Sequence, residues 1–360
     1  MTSQAIFQGL KVVELASVLA GPAVGLFFAE LGAQVVKVEN PATKGDVTRA
    51  WKAPTEDKHK ADSAYYHSVN YGKEVHFLNL KIKEELERAY ELIRAADIVI
   101  VNYRPGAAEK LGMDYPTLKA LNPQLIYAEL TGFGAQDKRP AFDVVLQAET
   151  GFLHLTGEAD GPPVKMPVAL IDVLAAHQLK EGILVALLQR ERTGQGSKVT
   201  TSLYAAALAS LVNQATNWLI AGYSPQRMGS QHPNIAPYGD VFHTADQKEL
   251  VLAIGVEAHF QKLCQFLDAA DLAQDVRFRT NADRVAHRAA LIPLLQERIG
   301  RFPERDPFLE QLHEKGIPAG AIRDLPDVFS QTGAEELLLH STDDQGEPIK
   351  AVRSVVFELE

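Results

Sequence analysis

Two apolar runs, separated by a small-residue loop and an apolar helical segment, open this sequence: VVELASVLAGPAVGLFFAELGAQVVKVE at residues 12–39. The runs KVVEL at 11–15 and QVVKV at 34–38 are typical of strands buried on both faces. Between them, Pro22 suits the first turn of a helix and Gly32 suits its end. This order predicts a βαβ unit, in which the two strands run parallel.

The same succession of helix and strand recurs farther along the chain. Residues 81–97 show helical spacing of apolar side chains, and IVIVNY at 98–103 is typical of a buried strand. A further helix and strand follow within residues 115–134. Strands that alternate with helices predict the α/β class and a Rossmann-like parallel sheet.

The second half of the chain predicts further elements and a division into domains. An apolar run at 164–172 predicts a strand, a long helix follows it and ends at Gly194, and residues 198–222 predict another long helix. We expect a large Rossmann-like domain at 1–222, a linker at 223–239, a smaller α+β domain at 240–330 and a C-terminal return towards the large domain at 331–360.

Charge and composition argue against several classes of protein. The formal net charge is −10, from 36 basic and 46 acidic side chains, whereas broad nucleic-acid binding needs a basic surface. Cys264 is the single cysteine, so the chain can form no internal disulfide and no cysteine-rich metal site. The sequence shows no signal-peptide pattern and no apolar run of membrane-spanning length. We therefore expect a cytoplasmic protein that binds no nucleic acid, membrane or metal.

The first βαβ unit lacks the loop that a dinucleotide needs. The residues after the first strand read A-S-V-L-A-G-P instead of G-x-G-x-x-G, and Leu19 and Pro22 crowd the turn that a pyrophosphate would approach. Glu39, which ends the second strand, has the position of an acid that binds a ribose. Without the loop, Glu39 is weak support for NAD, and the sequence disfavours that cofactor.

Asp172 stands between an apolar run and a long helix, where two interpretations are open. An aspartate at an N-cap accepts hydrogen bonds from free backbone N–H groups, and the positive end of the helix favours its charge. The simpler interpretation is therefore an ionised helix cap. A carboxylate at such a turn can also be a nucleophile.

Several basic side chains lie at or just after the ends of predicted strands, the edge where ligands of open α/β sheets bind. They can form a cluster that binds a phosphorylated ligand, or each can be a separate solvated charge on the surface. Their spacing in the sequence is compatible with both interpretations. The six residues are Lys37, Lys73, Lys81, Arg104, Lys110 and Arg139.

Longer motifs resemble one enzyme family. The matching stretches are GDVTRAW at 45–51, YRPGAAEKLG and LNPQLIY within 101–134, FDVVLQAETG at 142–151, HPNIAPYG at 232–239 and GIPAGAI at 316–322. They are similar to the class III coenzyme A transferases, a group that includes formyl-CoA transferase, the carnitine-CoA transferases and α-methylacyl-CoA racemase. The resemblance runs from about residue 8 to residue 322.

The resemblance implies a Rossmann-like half that holds coenzyme A in place of a dinucleotide. It also implies an interlocked homodimer, in which each active site lies between the large domain of one chain and the small domain of the other. The substrates are then an acyl-CoA and a small carboxylic acid. Coenzyme A is a substrate, and no cofactor is permanently bound.

The motifs imply site residues as well. Asp172 matches the nucleophilic aspartate of the transferases, and Gln147 matches a glutamine beside that nucleophile, so both are expected to be catalytic. The residues expected to bind coenzyme A are Leu19, Ala20, Asn40, Leu78, Asn79, Lys81, Asn102, Tyr103, Arg104, Lys110, Arg139 and Asp143.

The chain departs from relatives at several places. Asn40 stands where many relatives have arginine, and Leu19 replaces a glutamine of formyl-CoA transferase. The glycine-rich loop that covers the formyl-CoA transferase site has no match near residue 240, which argues against formate or oxalate as the specific acid. The sequence also ends at Glu360, before a helix that usually closes the family's C-terminus, so we expect reduced wrapping of the dimer.

One position favours transfer over the alternative chemistry of the same group, α-proton racemisation. The racemase branch carries a catalytic histidine where this chain has Phe142, and a phenyl ring cannot move a proton. Transfer needs only the nucleophile. A catalytically silent CoA-binding scaffold is the third possibility, and the presence of both Asp172 and Gln147 argues against it.

Overall fold

The computed structural model describes residues 6–343 and 346–359, which form two compact units. Unit 1 takes the described residues of Met1–Thr150, Met166–Val212 and Gly333–Glu360. Unit 2 takes Gly151–Lys165 and Asn213–Thr332. Unit 1 therefore contains both ends of the described chain.

The strands form three separate sheets within the described residues. In chain order they are β1 (Lys11–Glu14), β2 (Gln34–Glu39), β3 (Glu74–Phe77), β4 (Ile98–Val101), β5 (Ile126–Thr131), β6 (Ser197–Ser202), β7 (Tyr238–His243), β8 (Glu249–Ala253), β9 (Ala319–Ala321), β10 (Leu338–Thr342) and β11 (Pro348–Val352).

Helices occupy most of the segments between strands. In chain order they are α1 (Ala20–Glu30), α2 (Ala64–Asn70), α3 (Lys83–Arg94), α4 (Ala107–Lys110), α5 (Tyr115–Leu121), α6 (Asp143–Glu149), α7 (Phe152–Leu155), α8 (Leu170–Thr193), α9 (Leu203–Ala209), α10 (Val212–Ala221), α11 (Glu257–Phe266), α12 (Ala270–Gln274), α13 (Asn281–Ala286), α14 (Arg288–Ile299), α15 (Arg305–Glu314) and α16 (Leu325–Phe329). Short 3-10 helices lie at Pro41–Thr43, Val47–Ala50 and Glu335–Leu337. Among the described residues, no helix has the length and apolar character to cross a membrane.

The main sheet of unit 1 is entirely parallel, with strand order β3-β2-β1-β4-β5-β6. Val13 of β1 pairs with Val36 on one side and with Val99 on the other. The chain leaves β1 towards one edge of the sheet and returns to β4 on its other side. This confirms the predicted α/β class and the Rossmann-like sheet, and it places the ends of β1 and β4 next to each other.

Apolar side chains bury the central strands on both faces. Every residue of β4 is fully buried, as the continuous run IVIV predicts. On one face, Val13 and Val99 pack in a cluster with Ala89 and Ile93 of α3. Burying a side chain of this kind contributes about 1.5–3 kcal/mol. The cluster therefore fixes the strand ends at which the site is built.

Two predicted elements were wrong. Residues 164–169 form no strand, and the long helix α8 begins at Leu170. Pro167 has no N–H to donate to a sheet, which explains why this apolar run does not join one. Residues 198–222 do not form a single helix, because Ser197–Ser202 adds a strand along the whole of β5. The β-branched residues of SKVTTS suit an edge strand.

Unit 2 is α+β, as expected of the smaller part. Strands β7, β8 and β9 form an antiparallel sheet in that order. Phe242 and Leu252 of this sheet are fully buried in one cluster with Phe260 of α11 and Leu291 of α14.

The C-terminal hairpin of β10 and β11 belongs to unit 1. Glu30, at the end of α1, accepts hydrogen bonds from the backbone N–H groups of Ser354 at 2.5 Å and Val355 at 3.3 Å. Leu26 of α1 packs against Leu339 and Ala351 of the hairpin. The end of the described chain is thus tied to the first helix of the βαβ unit.

Candidate active site

A pocket of about 100 Å³ lies at the carboxyl ends of β1, β4 and β5, entirely within unit 1. This is the edge where ligands of open α/β sheets bind. Two larger pockets, of about 460 Å³ in unit 1 and 770 Å³ in unit 2, contain none of the residues predicted at the site. The lining of the small pocket is Ser17, Val18, Leu19, Ala20, Asn102, Leu130, Thr131, Gly132, Ala141, Phe142, Asp172 and Leu203.

Asp172 is the only titratable side chain in that lining. It is the third residue of α8 and is 8% exposed, and its carboxylate makes no hydrogen bond or ion pair with any described residue. Burial raises the pKa of Asp172 to about 7, and the negative charge of Asp143 adds to the rise.

The prediction of an ionised N-cap at Asp172 was therefore wrong. Ala169 occupies the cap position, because the helix starts earlier than the sequence suggested. Burial opposes the charge more strongly than the helix end favours it, so the pKa is raised. Asp172 is then a carboxyl group that titrates near neutral pH.

Asp143 and Gln147 of α6 hold the segment that presents Asp172. Asp143 accepts the backbone N–H of Ile171 at 2.7 Å and the Nε2 of Gln147 at 2.5 Å. Gln147 is fully buried, and its Oε1 accepts the N–H of Met166 at 2.9 Å. Both polar atoms of Gln147 are therefore engaged in positioning the start of α8. A direct catalytic role for Gln147 stays a prediction.

Asn102 holds the loop opposite Asp172. Its Oδ1 accepts the N–H of Ser17 at 3.1 Å, and its Nδ2 donates to the carbonyl of Ser17 at 2.8 Å. The loop continues through Leu19 and Ala20, which line the pocket as the sequence predicts of a CoA-binding loop. The side chain of Asn102 thus shapes the pocket by fixing its wall.

Three of the predicted strand-end cations are exposed and have no acidic partner among the described residues: Lys81, Arg104 and Lys110. Arg139 is also exposed, but it forms ion pairs with Asp137 at 2.9 Å and Glu149 at 3.5 Å. The remaining two, Lys37 and Lys73, are fully buried beside Glu14. The interpretation of those two as phosphate-binding cations was wrong.

The other residues predicted to bind coenzyme A are placed in different ways. Asn40 is exposed and accepts the N–H of Ala42 at 3.0 Å, and Asn79 accepts the N–H of Lys81 at 3.1 Å. Leu78 is 1% exposed, and its side chain packs in the same cluster as Ala89 and Ile93 of α3. Tyr103 is half-buried, and burial raises its pKa to about 12. Their contacts with coenzyme A stay predictions.

Tyr65 lies near Asp172 and Trp51 contacts Tyr65, and neither was assigned a role from the sequence. The pKa of Tyr65 is raised to about 12 by burial and then by the charge of Asp172, which places its phenol within electrostatic range of that carboxylate. Trp51 packs edge-on against the Tyr65 ring, with centroids 5.1 Å apart. The one sequence signal for these aromatic residues is the family motif GDVTRAW at 45–51, which ends at Trp51.

Glu39 is not available to bind a ribose. It is 4% exposed and accepts hydrogen bonds from Nε of Arg49 at 2.7 Å and the hydroxyl of Tyr66 at 2.8 Å. The acid that ends the second strand is therefore a structural partner within unit 1. Within the described part of the chain, no group of three or more histidine, cysteine or acidic side chains is placed to hold a metal ion.

Comparisons with known proteins give a consistent result. The sequence model of CoA-transferase family III matches residues 7–358. A succinate–glutarate CoA-transferase of Agrobacterium fabrum is 38% identical over 97% of this chain and 88% of its own length. An acetyl-CoA:oxalate CoA-transferase of Acetobacter aceti is 36% identical over 93% of this chain and 86% of its own length. The crystal structure of a CAIB/BAIF family protein from Brucella suis matches with a TM-score of 0.84 and 40% identity, covering 98% of this chain and 92% of that one.

Proposed function

The chain belongs to CoA-transferase family III and is an enzyme that transfers coenzyme A between an acyl-CoA and an acid, and we propose that Asp172 is its nucleophile. One observation carries this proposal. The carboxylate of Asp172 is buried and unpaired among the described residues, and it lies in a pocket at the ligand-binding edge of the sheet. A carboxylate in such surroundings is poorly solvated and therefore reactive towards a thioester carbonyl.

The transfer proceeds through covalent intermediates on Asp172. Its carboxylate attacks the carbonyl carbon of the acyl-CoA, the C–S bond breaks, and coenzyme A leaves as thiolate, which gives a mixed anhydride of Asp172 and the first acid. The thiolate then attacks the aspartyl carbonyl, which releases the first acid as carboxylate and leaves an aspartyl-CoA thioester. The second acid attacks this thioester, giving a new anhydride, and the thiolate takes the new acyl group. Each thioester bond broken is replaced by another.

The pocket supports these steps in two ways. Leu130 and Leu203 are buried beside Asp172, and an apolar wall of this kind limits water, which would hydrolyse an anhydride. On the loop side, α1 begins at Ala20 without a side-chain cap, and the backbone N–H groups of Ala20 and Gly21 have no hydrogen-bond partner among the described residues. Amides at a helix start can stabilise the oxyanion that forms during attack.

The substrates are then an acyl-CoA and a short dicarboxylic acid. Three exposed cations lie on the segments that follow β3 and β4, and they supply charge for the phosphates of coenzyme A: Lys81, Arg104 and Lys110. Two relatives are named for succinate and glutarate or for oxalate, and the acids of this chain are proposed from the same class.

The proposed covalent pathway predicts a detectable adduct. Incubation with succinyl-CoA alone should give a CoA adduct on the peptide that contains Asp172, which hydroxylamine removes. The measurement is mass spectrometry of the digested protein, with Asp114→Asn as a control that retains the adduct. Solvent deuterium entering the α-carbon of a 2-methylacyl-CoA, without any adduct, would instead identify the racemase alternative.

The pH dependence of the reaction should move when Asp143 is replaced. A nucleophile must be ionised, so kcat/KM should rise as pH passes through the pKa of Asp172, about 7. Asp143→Asn removes the second cause of that raised pKa and leaves burial, the first. The midpoint should fall below about 7 and stay above the ordinary value of 3.8. Asparagine at position 143 can still accept the hydrogen bond from the N–H of Ile171, so the start of α8 should keep its position.

The control for this shift is Asp114→Asn, which changes a carboxylate that caps α5 outside the pocket. Its pH profile should match that of the unmodified protein. A midpoint that is unchanged or higher in Asp143→Asn would contradict the electrostatic coupling of the two carboxylates.

The described surface supports a homodimer. Helix α10 has no buried residue, and Trp218, Leu219 and Ile220 on it are 57%, 75% and 84% exposed. An apolar surface of this kind is typical of a protein interface. Its proposed occupant is a second copy of this chain, as the resemblance implies. Light scattering should show a dimer at nanomolar concentration, and a compact monomer would contradict the proposal.

A further inference from the structure

Four charged side chains are fully buried beneath the loop that faces Asp172: Glu14, Lys37, Asp46 and Lys73. The residues before and within the first turn of α1, 16–20, form the loop that we call the pocket loop. We propose that the Lys37–Asp46 ion pair is a positioning device that holds Val18, and with it the pocket loop, in the conformation that accepts an acyl-CoA. This proposal rests on the proposed function of the pocket.

The ion pair grips the pocket loop at two peptide groups. Nζ of Lys37 lies 3.1 Å from Oδ2 of Asp46 and donates to the carbonyl of Ala16 at 2.8 Å. Asp46 accepts the backbone N–H of Val18, at 3.2 Å from Oδ2 and 3.4 Å from Oδ1. Lys37 thus holds the carbonyl of Ala16, and Asp46 holds the N–H of Val18 two residues later.

Val18 needs this support because of its backbone conformation. Its φ is +74°, in the left-handed region that β-branched residues rarely adopt. Among the described residues, the hydrogen bond to Asp46 is the one that holds its N–H. Without that bond, extended backbone is the preferred state of a valine. The loop conformation is therefore imposed by the buried pair.

The rest of the network keeps the pair charged and in place. Glu14 accepts from Lys37 at 2.9 Å and from Lys73 at 2.7 Å, and Lys73 also donates to the carbonyl of Pro22 at 2.8 Å. Burial opposes the charge of Lys37, but Glu14 and Asp46 outweigh it and hold its pKa above the ordinary value. Two cations and two anions balance, so none of the four is left as an uncompensated buried charge.

The position of the loop matters because Val18 lies in the same pocket as Asp172. A displacement of the loop by about 1 Å changes how a thioester carbonyl meets the carboxylate, and errors of that size can cost about 100-fold in rate. Asp46 does not line the pocket, so it acts through Val18 and is a positioning residue.

The test is a double-mutant cycle between Asp46 and Val18. Asp46→Ala should lower kcat/KM for succinyl-CoA by roughly 10- to 100-fold. In a Val18→Gly background the same change should cost several-fold less, because glycine adopts a positive φ without support. Asp46→Asn retains an oxygen that can accept the N–H of Val18. Its kcat/KM should therefore lie between those of the unmodified protein and Asp46→Ala. Equal losses in both backgrounds would overturn the proposal.

Two controls separate this role from general destabilisation and from the proposed function itself. Glu257→Ala removes the partner of the buried Arg284 in unit 2 and should lower stability while leaving kcat/KM unchanged. The Asp46→Ala protein should still form the adduct on Asp172 at saturating succinyl-CoA, only more slowly. If the unmodified protein forms no adduct on Asp172, the proposed function is wrong. If the adduct forms but Asp46→Ala costs the same kcat/KM in both Val18 backgrounds, only the positioning role is wrong.

Discussion

Replacing Asp172 with asparagine is expected to lower CoA transfer by roughly 10⁴-fold or more, because the residual pathway has no covalent intermediate. Asparagine has almost the shape of aspartate, so the pocket and the binding of acyl-CoA should be retained. The measurement is the rate of succinyl-CoA consumption with glutarate as acceptor, together with the Kd of acyl-CoA. Transfer within tenfold of the unmodified protein would remove Asp172 from the mechanism.

The same variant should be more stable at neutral and alkaline pH. The folded protein holds the proton of Asp172 up to about pH 7, whereas an unfolded aspartate has an ordinary pKa of 3.8. Stability of the unmodified protein therefore falls as pH rises between these values, and the cost remains above them, on the order of 4 kcal/mol. Asp172→Asn removes that cost, so its gain in Tm should appear at about pH 8 and vanish at about pH 4.

The control for the stability gain is Asp97→Asn, a change to a partly exposed carboxylate outside the pocket. It should show no such gain at alkaline pH. A variant at Asp172 that unfolds more readily than the unmodified protein at about pH 8 would contradict the raised pKa. Gain of stability with loss of activity is the expected signature of a carboxylate kept in a poorly solvated site for function.

The parallel sheet could be predicted because its signals are local. The run at β4 is continuous and apolar, β1 and β2 each carry a pair of adjacent valines, and α3 has helical spacing of its apolar residues. Strand β6 escaped prediction for the opposite reason. It is a polar edge strand, and its assignment depends on pairing with β5, which begins 71 residues earlier. Pairing over such a distance is not visible in a window of sequence.

The resemblance supplied candidate site residues, but it could not supply the electrostatics of the pocket. The resemblance pointed to Asp172, and the structure places it in a pocket with Leu19 and Ala20. Its raised pKa could not be predicted, because it arises from burial and from Asp143, which lies 29 residues earlier in the sequence. Tyr65 escaped notice for the same reason. Its position near Asp172 exists only in the folded chain.

Charged residues were the hardest to interpret from sequence. Lys37 and Glu39 stand at a strand end, where a ligand-binding role was plausible, and both are buried among charged partners. A sequence shows the charge of a side chain and its place along a strand, but it does not show which face the neighbouring loops cover. Here residues 45–51 turn back over the end of β2, and Asp46 of this segment contacts both Lys37 and Glu39. The two side chains therefore have structural partners in place of a ligand.

Replacing Arg49 with methionine should destabilise unit 1 by about 3–5 kcal/mol, the usual cost of leaving one partner of a buried ion pair alone. Arg49 binds both carboxylate oxygens of Glu39, at 2.7 and 2.9 Å, and its guanidinium stacks on the Tyr66 ring at 3.9 Å. It also pairs with Asp62. Without it, the buried carboxylate of Glu39 keeps two donors among the described residues, the hydroxyl of Tyr66 and the N–H of Asp46.

The measurement is the free energy of unfolding in urea, followed by Trp51 fluorescence after Trp218→Phe, because the chain has 2 tryptophans. Arg94→Met is the matched control, since it removes an exposed ion pair with Glu87 and should cost less than about 1 kcal/mol. Adding Glu39→Gln to Arg49→Met should recover part of the loss, because the stranded charge is then gone. An Arg49→Met protein within about 1 kcal/mol of the unmodified one would show that Glu39 finds other support, and that the acid ending the second strand is freer to meet a ligand than its buried partners indicate.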